Sequence, residues 1–280
     1  MLFIEKRKYF YIFSTILILA GIISMFAQGF NLGIDFKGGA ILRYKMDPSI
    51  SAAEVRATVE DLKVVDEANI QKSGDEFFIR TTEVDQNQTN IITKGLQAKF
   101  KDVTYQSVES VGATMGSELT RNAVLSVLVA LALMLVYITF RFEWAFGVAA
   151  VFALFHDVLI VVGLFSIFQW QIDSAFIAAI LTIIGYSIND TIVIFDRVRE
   201  NLRMKKKDEL PTLLNKSIMQ TMNRSVNTVL TCLFPLVTLY FFGGSTIKTF
   251  VLTMLIGFIF GAYSSICVAS PVYYEIKQRG

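Results

Sequence analysis

The chain has 280 residues, 54% of them hydrophobic, 13% aromatic and only 18% charged, and its mean hydropathy is +0.53. Soluble domains are about 45–50% apolar and about 25% charged. The apolar surplus needs lipid, which excludes an ordinary cytosolic enzyme, a disordered chain and a secreted disulfide scaffold. The net charge of +2 is too slight to point to nucleic acid, and a single histidine, His156, rules out a multi-histidine metal site. Cys232 and Cys267 both sit inside apolar runs and read as small packing residues.

A bilayer core about 30 Å thick takes about 20 mostly apolar residues to cross. Six runs qualify: Tyr9–Ala27, Ala123–Phe140, Trp144–Phe168, Ile172–Phe195, Val226–Phe242 and Phe250–Tyr273. The fifth is short and contains Pro235. The first follows Lys6-Arg7-Lys8, as a signal peptide would, but its apolar core is long and no clear small-x-small site follows, so it is expected to remain as a helix. Basic residues set the orientation. They gather at the N-terminus, at Lys277 and Arg279, and in the link that holds Arg197, Arg199, Arg203, Lys205, Lys206, Lys207, Lys216 and Arg224. Both termini and that link are expected in the cytoplasm, with the insert between the first two spans outside.

The insert, taken as 30–120, changes to soluble-domain patterning. Ile41-Leu42-Arg43-Tyr44-Lys45 alternates as a strand does. Ser51-Ala52-Ala53-Glu54 is a capping box ahead of Val55, Val59 and Leu62. Strands are expected at Asn69–Lys72 and Glu76–Thr82 around the Ser73-Gly74-Asp75 turn, a helix over Asn87–Phe100, and a last strand at Val103–Val111. The order β-α-β-β-α-β is that of a ferredoxin-like α+β domain. It holds no nucleophile–base pair and no phosphate loop, so a binding or mechanical role is expected.

Ionisable groups inside spans mark function by default. His156-Asp157 lies about 20 Å along the third span from Trp144. Asp190, beside Asn189, is the stronger signal. Arg197 follows it by two helical turns, on the same face and about 10 Å away, while Asp196-Arg197 is expected to close the helix at the membrane surface. Tyr186 and Ser187 lie upstream and can hydrogen-bond a carboxylate or a bridging water. A carboxyl group in a low-dielectric site tends to the neutral form unless it is paired, which suits a proton relay. The alternative is that these groups glue helices together, with His156 a satisfied core histidine. Gly257, Gly261 and Ser265 give small residues at four-spacing in the sixth span. Leu213, Leu214, Ile218, Met219 and Met222 share a face of the 197–224 link, as in a helix lying on the membrane surface.

Four stretches resemble the SecD/SecF family of protein-export membrane proteins: Leu32-Gly33-Ile34-Asp35-Phe36-Lys37-Gly38-Gly39, Phe155-His156-Asp157, the run Gly185–Asn201, and Ser217–Thr221 with Arg224, Asn227, Thr228 and Thr231. The resemblance covers essentially the whole chain. It implies an α-helical bundle of six transmembrane helices, half of an RND-type unit, divided as 1–29, 30–120, 121–196, 197–224 and 225–280. It implies a bacterial inner-membrane location and a SecD partner, with the SecYEG translocon, YajC, YidC, unfolded preprotein and membrane lipid as further partners. The site it implies is a proton relay of Asp190, Asn189, Arg197 and Asp157, supported by Tyr186, Ser187, His156 and Asp196, with Asp35, Lys37, Gly38 and Gly39 as the lead-in to the external domain. No cofactor beyond the proton gradient, no metal and no enzymatic activity are expected. Two other readings stay open: a dimeric proton-coupled small-molecule exporter, and a non-transporting scaffold. The glycine pair itself reads as a backbone requirement.

Overall fold

The computed structural model describes residues 2–65, 68–204 and 209–279. It contains two compact units: Leu32–Asn122, and the helices formed by the segments on either side of it. Lys205, Lys206 and Lys207 of the basic link lie outside the described residues. The first helix, α1 (Arg7–Gln28), is the apolar run after the basic lead and stops at Gly29, whose φ of 69° leaves the helical region.

The inserted unit begins with a single turn, α2 (Ile34–Lys37), which the sequence pattern does not announce. Its one acidic and one basic residue, Asp35 and Lys37, sit in the first and last turns respectively, as the helix dipole favours. Then come β1 (Gly39–Lys45), α3 (Ala52–Asp61), β2 (Ala68–Ser73), β3 (Glu76–Thr81), α4 (Gln86–Lys99) and β4 (Thr104–Val111). The sheet order is β2-β3-β1-β4 and each neighbouring pair is antiparallel. This is the ferredoxin-like arrangement that the element order predicts. Leu42 stands opposite Ile79 on one side and Val108 on the other. Ala40, Leu42, Tyr44, Phe77 and Ile79 of the sheet close over Val55, Val59, Ile92 and Leu96 of the two helices. Gly39 is required where β1 starts: its φ is 123°, and a Cβ there would stand 2.6 Å from the Thr81 carbonyl oxygen.

The two helices packed on the sheet, α3 and α4, each start with a full capping box, Ser51 with Glu54 and Asp85 with Gln88. Ser51→Ala is expected to cost about 1 kcal/mol, read as weaker amide protection in α3. The Ser51 amide and hydroxyl hold the Glu54 carboxyl below its ordinary range. The Ser49 amide and hydroxyl do so for Asp47, and Lys45 does so for Asp75. A depressed folded value stabilises at any pH above the unfolded value, and the contribution is lost as pH falls through the folded value. The unit should therefore loosen at acid pH. Tyr44 is buried, which pushes its hydroxyl up to about 12, and it bonds Thr93 at 2.9 Å.

The rest of the chain is helical: α5 (Ala113–Arg141), α6 (Trp144–Ile167), α7 (Ser174–Arg203), α8 (Leu210–Phe242) and α9 (Lys248–Ser264). From α9 the chain passes through a π turn at Ser265–Ala269 into α10 (Ser270–Arg279). Among the described residues six stretches are long and apolar enough to cross a membrane, the sixth running through α9 and α10. Half or more of the apolar windows of α6, α7 and α9–α10 is buried, against only 6% for α5; the first three form the centre of the bundle. The centre is close-packed through glycines. A Cβ on Gly21 of α1 would fall 2.7 Å from the Gly163 Cα of α6, and backbone cannot give way as a side chain can. Gly163→Val is therefore expected to separate α1 from α6 and cost about 1–3 kcal/mol, read as a lower unfolding temperature in lipid. The Ser24–Ser166 hydrogen bond, 2.9 Å long, would go with it.

Two boundaries differ from expectation. Asp196-Arg197 does not close α7, which continues to Arg203. The 197–224 link is not a separate surface helix: residues from Leu210 onward form one continuous helix with the fifth span. Leu213, Leu214 and Ile218 of its apolar face are buried against the bundle, and only Met219 is well exposed. Local polar pairs hold this part down. Asn201 donates to Ser217 at 2.8 Å, and the Ile4 amide donates to Asn215 at 3.1 Å. Periodicity predicts an apolar face but not what covers it; here protein covers it.

Candidate functional site

Two buried carboxylates of the helical unit, Asp157 and Asp190, each centre a polar cluster beside α7. The first is centred on Asp157 of α6, which is 1% exposed. Its Oδ2 accepts from the Ser187 hydroxyl of α7 at 2.7 Å and the Ser264 hydroxyl of α9 at 2.8 Å. Its Oδ1 lies 3.0 Å from His156 Nδ1. His156 Nε2 in turn meets Ser14 of α1 at 2.8 Å, and Ser14 meets Tyr263, which donates to the Phe10 carbonyl. The carboxylate and the ring are both satisfied when Ser14 donates to Nε2 and the imidazole donates from Nδ1 to Asp157. Buried polar groups are tolerable when every member is satisfied. This cluster joins four helices through hydrogen bonds alone.

The second cluster is centred on Asp190 of α7, which is 7% exposed. Its Oδ1 accepts from the Ser225 hydroxyl of α8 at 2.6 Å. Its Oδ2 is buried and has no hydrogen-bond partner among the described residues. The opposite charge that acts on it is Arg224 of α8, the residue before Ser225. Thr191, next in α7, bonds Ser265 at the π turn at 2.8 Å. A π turn inserts a residue into the helical ladder; here it lies where Ser264 reaches Asp157 and Ser265 reaches Thr191.

The remaining sequence-derived candidates fall elsewhere. Arg197 is not the partner of Asp190: it is paired with Glu200 at 2.5 Å and bonds Gln220 at 2.8 Å. Asp196 pairs with Arg199 at 3.1 Å. Helical spacing does put Arg197 two turns from Asp190, but nearer partners outside the apolar core hold its guanidinium. Ser187 serves Asp157 rather than Asp190, and Asn189 is exposed on the outer side of α7. Tyr186 stacks on Phe258 of α9 with ring centroids 3.9 Å apart. Asp35, Lys37, Gly38 and Gly39 belong to the sheet unit and shape its start. Sequence reasoning missed Ser14, Thr191, Ser225 and Ser264. The available signal was a hydroxyl residue within an apolar run, at the level of a buried carboxylate in a neighbouring helix.

Six apolar helices around a satisfied carboxylate hub and a half-satisfied one define a multi-pass membrane protein with an ionisable centre. Residues 91–279 match the family model described as "Protein export membrane protein SecD/SecF, C-terminal", and residues 23–50 match the "SecD/SecF GG Motif". The chain is 41% identical to protein translocase subunit SecF of Sebaldella termitidis, with 98% of this chain and 91% of that one covered. It is 40% identical to SecDF of Bacillus subtilis, with 99% of this chain but 38% of that one covered. The crystal structure of SecDF from Thermus thermophilus, described as a translocon-associated membrane protein, superposes with a TM-score of 0.92 at 37% identity, over 100% of this chain and 39% of that chain. SecDF in a super-membrane-facing form matches with a TM-score of 0.75. The chain belongs to the SecD/SecF family of protein-export membrane proteins, and its full-length relatives carry the name SecF.

Proposed function

We propose that this chain is the SecF-type subunit of the Sec protein-export machinery. It works with SecD in the bacterial inner membrane, both termini cytoplasmic, and uses the proton gradient to promote late translocation and release of preproteins. The observation that carries the proton reading is the Asp190 carboxylate: one oxygen is held by Ser225, and the other is buried without a donor. Such a group changes its interactions when it gains or loses a proton. Asp157, with both oxygens engaged, serves better as the fixed reference around which α7 is held. A proton crossing the membrane yields about 2.3 kcal/mol per 100 mV, comparable with breaking and remaking a few buried hydrogen bonds. Protonation of Asp190 would shift α7 against α8, and the shift would be passed to the sheet unit, which would hold the emerging chain.

Pairing with SecD is supported from two sides. The SecDF relatives carry well over half their length beyond the part that this chain matches. Ser174, Ala178, Thr182, Gly185 and Asn189 form an exposed stripe of small and polar residues along α7, and such stripes let another helix approach closely. SecYEG, YajC, YidC and the unfolded preprotein complete the proposed assembly. The test is export in cells whose only copy carries Asp190→Asn, with membrane level and SecD pull-down measured alongside. Precursor should accumulate while level and pairing stay normal.

A further inference from the structure

Ion pairs gather the α5–α6 turn, the start of α1 and the last helix at one end of the bundle. Glu143 of the turn pairs with Lys277 of α10 at 2.7 Å, and Glu275 of α10 pairs with Arg7 of α1 at 2.6 Å. Arg199 of α7 reaches the same place: it donates to the Arg141 carbonyl at 3.4 Å and pairs with Asp196 at 3.1 Å. The guanidinium carbons of Arg199 and Arg141 stand 5.0 and 5.5 Å from the centre of one ring, that of Phe142, which is 7% exposed. The two positive charges are therefore no further apart than those two distances together. Asp196 neutralises Arg199, and Lys277 occupies Glu143. Arg141 is exposed and forms no ion pair with any described residue.

The surface that leads to Arg141 is apolar and open. Only 6% of the apolar window of α5 is buried. Leu133, Val136 and Phe140 share one face of α5, about 10 Å long, and all three are exposed, Phe140 at 95%. Trp144, just past the turn, is exposed as well, as suits a residue at a membrane surface. Close helix contact takes small residues; this face is built of large ones, which suits acyl chains better than another helix. A guanidinium binds a phosphate through two parallel hydrogen bonds. A zwitterionic headgroup brings an ammonium that the neighbouring guanidinium repels, whereas a net-negative headgroup does not. We propose that the α5–α6 turn binds the headgroup phosphate of an anionic phospholipid, with Arg141 as its principal ligand, Arg199 as a second cation fixed nearby by Phe142, and an acyl chain along Leu133, Val136 and Phe140. The site requires neither Asp190 nor proton transfer. In the orientation proposed above it faces the cytoplasmic leaflet, where anionic lipid makes the surface potential negative.

Native mass spectrometry of the full chain, released from nanodiscs of equal parts phosphatidylglycerol and phosphatidylethanolamine, tests the site. The native protein should retain phosphatidylglycerol in preference to phosphatidylethanolamine. In detergent, added phosphatidylglycerol should raise its unfolding temperature, as any ligand of the folded state does. Arg141→Gln should accumulate normally, lose retention several-fold and lose the temperature rise; Arg141→Lys should keep part of both. Lys248→Gln removes a cation at the opposite end of the sixth span and should change neither, which separates a site from an effect of net charge. Equal retention of the two lipids by the native protein, or undiminished phosphatidylglycerol retention in Arg141→Gln, overturns the proposal. Inorganic phosphate should neither displace the lipid nor raise the unfolding temperature; if it does both, the site takes a free anion and the lipid assignment falls. The same comparison on the complex with SecD should preserve the difference between native and Arg141→Gln protein. A difference present in the chain alone and absent from the complex gives this face to the partner and equally overturns the proposal.

Discussion

Replacing Asp157 by alanine is expected to lower the stability of the helix bundle by about 3–5 kcal/mol, because three buried partners lose their acceptor at about 1–3 kcal/mol each. The change strips the acceptor from Ser187, Ser264 and His156 together, and all three are buried. It also frees the far end of the chain, because His156 is what holds Ser14 of α1. Asp157→Asn should be far milder, about 1 kcal/mol. The asparagine oxygen still accepts from both serines, and its amide donates to His156 Nδ1. The imidazole then switches tautomer and donates from Nε2 to Ser14. Thermal unfolding in lipid vesicles distinguishes the two: a deep loss for alanine and a small one for asparagine identify a hydrogen-bond hub. Equal losses would mean that the charge itself holds the bundle.

Asp190→Asn should show the opposite balance. Ser225 keeps an acceptor, so unfolding temperature and pairing with SecD should scarcely change. Export should fall to the level seen without a proton gradient, because the amide cannot take up or release a proton. Asp157→Asn should retain most of its export. The contrast between two aspartates one helix apart is the discriminating result, since a scaffold with structural carboxylates would export normally with either substitution.

Much of the fold is legible in the sequence because its signals are local. Twenty-residue apolar runs have one stable solution in lipid, and the alternating residues of β1 with the Ser51 capping box place the sheet unit before any contact is known. Asp157 and Asp190 are legible for the same reason, since a carboxylate in an apolar run is conspicuous. Their partners are not. Ser225, Ser264 and Ser14 approach from other helices, and helical periodicity says nothing about which helices meet. Arg197 shows the limit in reverse: correct spacing on one face does not create a pair when Glu200 and Gln220 are nearer. The continuous α8 shows it again, because the burial of Leu214 and Ile218 depends on α7 and the N-terminal segment beside them.

The most direct measurement of the central claim uses inverted membrane vesicles in which a preprotein has been carried partway and ATP then exhausted. A proton gradient is imposed, and completion of translocation is followed for native and Asp190→Asn protein present at equal levels with SecD. The expected result is completion with the native protein, abolished when the gradient is collapsed, and no gradient-dependent completion with Asp190→Asn. Gradient-driven completion at the native rate with Asp190→Asn would contradict the assignment of Asp190 as the group that couples the gradient to export.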